Sequence, residues 1–216
     1  MASSEKVHHP IFARLFERVA GRAEGRGAAE HRRRALTGLT GRVIEVGAGN
    51  GLNFAHYPSA VTEVVAVEPE SYLRDRAIEA AAAIPIRIAV VDGLADDLPL
   101  EDASFDAGVA SLVLCSVPDQ ARALAELYRV IRPGGELRFY EHVVAERPVA
   151  ARLQRAADAT FWPRVAGGCH MARDTGAAME EAGFAVESSE RFQFRFSALD
   201  PPKAHILGIA RRPIGR

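Results

Sequence analysis

Lysine is almost missing from this chain of 216 residues: Lys6 and Lys203 are the only lysines among 27 basic residues. The arginine bias reads as a mark of GC-rich coding, and the run Arg32-Arg33-Arg34 as a solvated helix face. The basic residues are balanced by 28 acidic ones, leaving a formal net charge of −1, which removes any global attraction to nucleic acid or anionic membrane. Cysteine is scarce as well. Cys115 and Cys169, the only two, stand far apart and cannot make the disulfide framework of a small secreted protein. No stretch has the length and apolarity of a membrane span or a signal-peptide core. A protein without a membrane anchor, in a reducing cytoplasm, is therefore expected. Internal repeats and low-complexity segments are missing too. What is present is an ordinary globular composition, 48% hydrophobic and 25% charged, on a chain long enough to bury one α/β core.

Pro10 can open a helix that places Ile11, Phe12, Leu15, Phe16 and Val19 on one face. The following AGRAEGRGAA reads as a loop, so residues 1–34 are expected to form a helical lid or arm ahead of a main domain at 35–216. From residue 42 short apolar runs alternate with helical segments, the pattern of βαβ units. Strands are expected near 42–47, 63–68, 86–91, 106–114 and 136–143, with helices near 51–57, 71–83 and 119–131 between them. Asp119 suits an N-cap, and Pro133 with its two following glycines a helix stop. Helices near 148–163 and 174–182 follow, the second with Asp174 as N-cap and Gly183 as stop. Two last strands near 185–196 and 205–212, joined by SALDPP, suit an antiparallel hairpin closing a mostly parallel sheet.

The stretch VIEVGAGNG puts Glu45, Gly47, Gly49 and Gly51 at the end of the first strand. Such a turn lets backbone approach a ligand at the carboxyl ends of parallel strands. A dinucleotide fingerprint would need glycine at 52 and finds Leu52, and a P-loop is excluded because no Gly-Lys-Ser/Thr ending follows. Glu68, at the end of the second strand, is placed to accept both hydroxyls of a ribose.

An acidic residue followed by Gly47-Ala48-Gly49-Asn50-Gly51 resembles the first motif of class I S-adenosylmethionine (AdoMet) dependent methyltransferases. The resemblance implies AdoMet contacts from Glu45, Gly47, Ala48, Gly49, Gly51, Asn53, Glu68 and Pro69. It also implies an adenine contact after the third strand. Relatives of the quinone-biosynthesis type often carry Gly-Asp-Ala there, where this chain has Gly93-Leu94-Ala95. Asp92, or backbone around Leu94, is then expected to serve instead, with Leu94 packing on the ring. LYRVIRPGGELRFYEHV is similar to the helix, Arg-Pro-Gly-Gly turn and fifth strand of the same superfamily.

SLVLCSV, EHV, GGCHMARDT and HILGIA, in that order, are similar to the methyltransferase-like thiol methyltransferases of vertebrates, over roughly residues 35–210. This narrower resemblance implies a Rossmann-like fold with a seven-stranded sheet, a C-terminal antiparallel hairpin and helices on both faces. It also implies AdoMet as donor and a small thiol as acceptor, with a quinone carbon or phenolic oxygen as the alternative. Those relatives carry an N-terminal membrane anchor; here HHPIFARLFERVA is expected to cover the pocket instead.

GGCHMARDT raises three readings: a metal site, a Cys/His nucleophile, or the wall of an acceptor pocket. Metal is set aside because Cys169 and His170 are adjacent and no further Cys or His stands at ligand spacing. A covalent nucleophile is set aside because displacement on a sulfonium needs none. That leaves the wall, with Arg173 and Asp174 as tether or cap. Histidine titrates near neutrality, so His170 and His142 are the candidates for a general base. Ser111 and Leu112 are expected at the methionine end of the cofactor, and Phe12, Phe16, Phe161, Trp162, Cys169 and Met171 around the acceptor. Cys115, in an apolar run, reads as a small buried hydrophobe.

Overall fold

A computed structural model of the protein describes residues 10–196 and 200–215, with side chains from residue 13 onward. Phe12 as a side chain, and residues 197–199 of the SALDPP connection, lie outside the described residues. Seven strands form one sheet: β1 (Gly41–Val46), β2 (Val61–Val67), β3 (Arg87–Val91), β4 (Phe105–Ser111), β5 (Ile131–His142), β6 (Ala185–Phe194) and β7 (Lys203–Arg211). Their order is β3-β2-β1-β4-β5-β7-β6. The first five are parallel to their neighbours, and β7 lies antiparallel between β5 and β6, the expected closing hairpin.

The inner strands read as unbroken apolar runs because both faces are covered. Ile44, Val46, Val65 and Val67 point to one face, against Leu124, Leu127 and Val130 of α4 (Gln120–Val130) and Met179 of α7 (Thr175–Glu181). Val43, Val64, Ala66 and Val109 point to the other, against Leu36 of α2 (Ala29–Leu36) and Ala77 of α3 (Ser71–Ala81). Asp119 and Asp174 cap their helices as expected, accepting from Arg122 N at 3.0 Å and Ala177 N at 3.2 Å. Glu70 caps α3 in the same way.

Four expectations are corrected. AGRAEGRGAA is no loop: α1 (Pro10–Ala23) passes through a π turn at Glu24–Ala28 directly into α2. Alanine, arginine and glutamate are good helix formers, and one glycine, Gly27 at φ 115°, absorbs the kink. The helix expected near 51–57 shrinks to a 3₁₀ turn at Phe54–His56, hemmed in by left-handed Gly51 and Pro58. β5 begins early and carries Pro133 and both glycines inside it, at an irregularity in its pairing with β4 where a missing N–H is tolerated. The helix expected over 148–163 is two, α5 (Pro148–Asp158) and α6 (Trp162–Val165), with Pro163 in the first turn of the second, where a proline is tolerated as it would not be in a helix interior.

Candidate active site

The carboxyl ends of the parallel strands open onto a cavity of about 530 Å³. Sheet order arranges its rim. On the β3-β2-β1 side stand Gly93, Leu94, Glu68, Gly47 and Gly49; on the β4-β5 side stand Leu112, Cys115 and His142. Helix α1 supplies the cover through Ala13, Phe16 and Val19, and is tied to α3 by a Tyr72 hydroxyl donating to Glu17 at 2.7 Å.

Glycine is obligatory in the first turn. Gly47 sits at φ 63°, and a Cβ there would lie 2.2 Å from Val113 Cγ2. At Gly49, φ 57°, a Cβ would meet only the Phe16 ring at 3.6 Å, so the space above it is open cavity. Glu68, buried, accepts from Gly49 N at 2.8 Å through one oxygen and from Glu70 N at 2.9 Å through the other. Each oxygen keeps a lone pair for a further donor. Burial raises the Glu68 pKa, against those two N–H bonds. Leu112 is left-handed at φ 58°, with its N–H held by Tyr140 O at 2.7 Å. Strain of this kind in a non-glycine residue collects at ligand sites.

Beneath the turn lies a buried polar network. Glu45 accepts from Asn53 Nδ2 and from the Tyr57 hydroxyl, both at 2.7 Å. Burial pushes the Glu45 carboxyl up to about 7, partly offset by those two donors. Arg32 reaches into the same network, donating to Asn53 Oδ1 at 3.0 Å, to Ser111 Oγ at 3.2 Å and to Glu24 at 3.0 Å. Only 6% exposed, Arg32 corrects the reading of residues 32–34 as solvated; Arg33 does face solvent and pairs with Glu30.

The β4-β5 side is built by loops laced to one another. Glu141, fully buried, accepts from the backbone N–H groups of Val113, Leu114 and Cys115 at 2.9, 3.0 and 3.2 Å. Burial drives its pKa up to about 7 against those three donors. His170 N–H donates to Cys115 O at 2.7 Å, Arg173 donates to Leu114 O at 2.6 Å, and Gly168 packs so close to Ser116 that a Cβ would lie 2.9 Å from its carbonyl. Cys115 is thereby brought beside Cys169 and His142. A hydrogen bond from the Cys115 thiol and His142, 3.7 Å away at Nδ1, hold the Cys169 thiol below its ordinary range against burial. Keeping that shared proton, with burial, pushes Cys115 up.

Of the residues singled out from sequence, Gly47, Gly49, Glu68, Pro69, Gly93, Leu94, Leu112, Phe16, Trp162, Cys169 and His142 line the cavity. Glu45, Ala48, Gly51 and Asn53 support it from beneath, and Ser111 serves as an Arg32 acceptor. Others stand away from it. Asp92 is exposed and paired with Arg74 at 3.1 Å. Phe161 is 56% exposed. Met171 and Ala172 donate backbone N–H groups to Asp158 at 2.8 Å. His170 contributes its backbone to the wall and does not line the cavity, whose only histidine among the described residues is His142. The reading of Cys115 as plain core is incomplete: it is buried, yet it lines the cavity. Arg32 and Lys203, which stands over the Trp162 ring at 4.7 Å, also belong to the wall and carry no sequence signal of it.

This sheet order, with a glycine turn and an acidic strand end at its carboxyl edge, defines a class I AdoMet-dependent methyltransferase. The comparisons agree. A methyltransferase domain family matches residues 44–139. A putative methyltransferase of Bacillus halodurans superposes with a TM-score of 0.71 at 17% identity, over 86% of this chain and 98% of that one. A geranyl diphosphate methyltransferase solved with sinefungin superposes at 0.67 and 15%, over 86% and 78%. In sequence, human thiol S-methyltransferase TMT1B is 34% identical over 183 residues, 82% of this chain and 74% of that protein. Human TMT1A is 32% identical over 78% of this chain and 69% of that protein. The chain belongs to the family of these thiol S-methyltransferases. AdoMet is its cofactor, and the residues present fit it: an open glycine turn, a carboxylate with spare lone pairs, and apolar Leu94 and Leu73 where a ring would pack. No helix among the described residues is long and apolar enough to cross a membrane.

Proposed function

We propose that the acceptor is a small-molecule thiol and that the enzyme makes a methyl thioether by direct displacement. One observation carries this: the four stretches LVLCSV, EHV, GGCHMARDT and HILGIA, scattered over a hundred residues of sequence, converge on one wall. Cys115, His142 and Cys169 line it, and His205 backs it with its ring 5.4 Å from that of His142. Relatives 32 to 37% identical to this chain are named for thiol methylation.

AdoMet, when bound, supplies an electrophilic methyl group on a sulfonium and leaves as a neutral thioether. The residues of this chain need only align the acceptor and exclude water. Gly47, Gly49, Glu68 and Leu94 would hold the nucleoside; Leu112, from the next strand over, would hold the methionine end, and Cys115 would face the acceptor. Helix α1, within residues 1–34, acts as the lid, with Phe16 closing over Gly49. With its thiol held below the ordinary range by Cys115 and His142, Cys169 is a poor base toward a thiol acceptor of pKa about 8.5. A competition assay in which a panel of small thiols and phenols share the enzyme and AdoMet tests the proposal. Thioethers should dominate the products, and methyl ethers or C-methylated quinols in their place would refute it.

A further inference from the structure

Cys115, His142 and Cys169 stand apart from every other titratable cluster among the described residues: one ligand atom from each lies within 4.8 Å of the other two. They come from three different elements, the loop after β4, the end of β5 and the loop after α6, so no spacing in the sequence announces them. The backbone around them is fixed by Glu141 on one side and by the His170-to-Cys115 and Arg173-to-Leu114 hydrogen bonds on the other. All three line the cofactor cavity, so the set is closed by protein on one side and open on the other. His142 is buried and turns its Nδ1 toward the pair of cysteines, 3.7 Å from Cys169 Sγ.

We propose that Cys115, Cys169 and His142 bind one zinc ion, with its fourth position open to the cavity. Two sulfurs and an imidazole select a borderline-soft d¹⁰ cation over magnesium or calcium. Three protein ligands with one open position are the arrangement of a working rather than a structural zinc. With Zn–S and Zn–N bonds of about 2.3 and 2.0 Å, a tetrahedral site sets sulfur and nitrogen roughly 3.5 Å apart. The 3.7 Å between Cys169 Sγ and His142 Nδ1 already approaches this, and the widest ligand separation needs to contract by about 1 Å. The earlier dismissal of metal rested on the lack of a partner for Cys169 near it in sequence; the fold supplies two.

The use of the open position rests on the thiol reading above. There the acceptor sulfur would take the fourth site and release its proton to water, because a coordinated thiol is deprotonated. Its sulfur then forms the new S–CH3 bond as the methyl–sulfonium bond breaks, the bond pair leaving with the neutral thioether. No oxidant or reductant is consumed.

Cobalt(II) titration of the reduced protein tests the site, since thiolate-bound tetrahedral cobalt gives an intense near-ultraviolet charge-transfer band. One equivalent should develop the band, zinc should erase it, and Cys169→Ser and Cys115→Ser should each lose it while AdoMet binding by calorimetry is kept. A wild-type protein that gives no band, or a band indifferent to both serine variants, overturns the proposal. A parallel thiol assay separates it from the function. Chelation should raise KM for the thiol at least about tenfold without altering AdoMet affinity, and turnover unaffected by chelation overturns the zinc alone. An intact cobalt site with no thiol turned over leaves the zinc standing and refutes the thiol reading.

Discussion

Arg32 and Arg33 are neighbours in one arginine run and have opposite fates. Arg32 is buried among Glu24, Asn53 and Ser111, whereas Arg33 makes an exposed pair one helical turn away. Removing one partner from a buried charged network strands the others, whereas surface pairs carry little. Arg32→Ala should therefore lower unfolding stability by about 3 kcal/mol, read from denaturant midpoints, and weaken AdoMet binding through Asn53 and Ser111. Arg33→Ala should leave both unchanged. Cys169 supports a sharper test. With its thiol held below the ordinary range by Cys115 and His142, it ionises at a lower pH than an ordinary cysteine, whose pKa is about 8.5. Metal-free enzyme should thus be alkylated by iodoacetamide at Cys169 below the ordinary cysteine range, at a pH where Cys115, pushed up, stays unmodified. Peptide mass spectrometry reads the two sites separately, and equal labelling of both would contradict the shared-proton arrangement.

At the scale of elements, the strands were legible because each inner strand is a short apolar run bounded by turns, and the caps because Asp119 and Asp174 precede apolar helical patterns. The first two helices were not, since glycine was read as punctuation where the fold uses one glycine to bend a continuous helical arm. The same limit hid half of the site. The glycine turn is local and can be read from spacing, while the sulfur wall is assembled from residues 115, 142 and 169 by the sheet order. Resemblance pointed to the stretches and to Cys169 and His142 within them, but it also put forward His170, whose backbone holds Cys115, and left Cys115 as core. Helix α1 carries its own prediction. Phe16 stands over Gly49 and lines the cavity, so Phe16→Ala should weaken AdoMet binding about tenfold, near 1.4 kcal/mol, in calorimetry. Unfolding stability should change far less, because the helix caps the cavity rather than the sheet core.

At the scale of the whole molecule, the two sides of one sheet edge carry separate tasks. In the proposed reading, strands β1 to β3 present the groups that would hold the cofactor, and β4 with β5 would present sulfur and imidazole to the methyl acceptor. On this reading the acceptor is set by the loops that end β4 and β5. The division also accounts for the placement of burial. The two carboxyls pushed up to about 7, Glu45 and Glu141, lie under the two halves and organise backbone and side chains rather than touching ligand. The most direct test of the account follows the methyl group itself. Enzyme incubated with AdoMet carrying a deuterated methyl group and a small thiol should give the deuterated methyl thioether and demethylated cofactor in equal amounts by mass spectrometry. AdoMet bound in full with no labelled thioether from any thiol, or label appearing on oxygen or carbon acceptors instead, would contradict it.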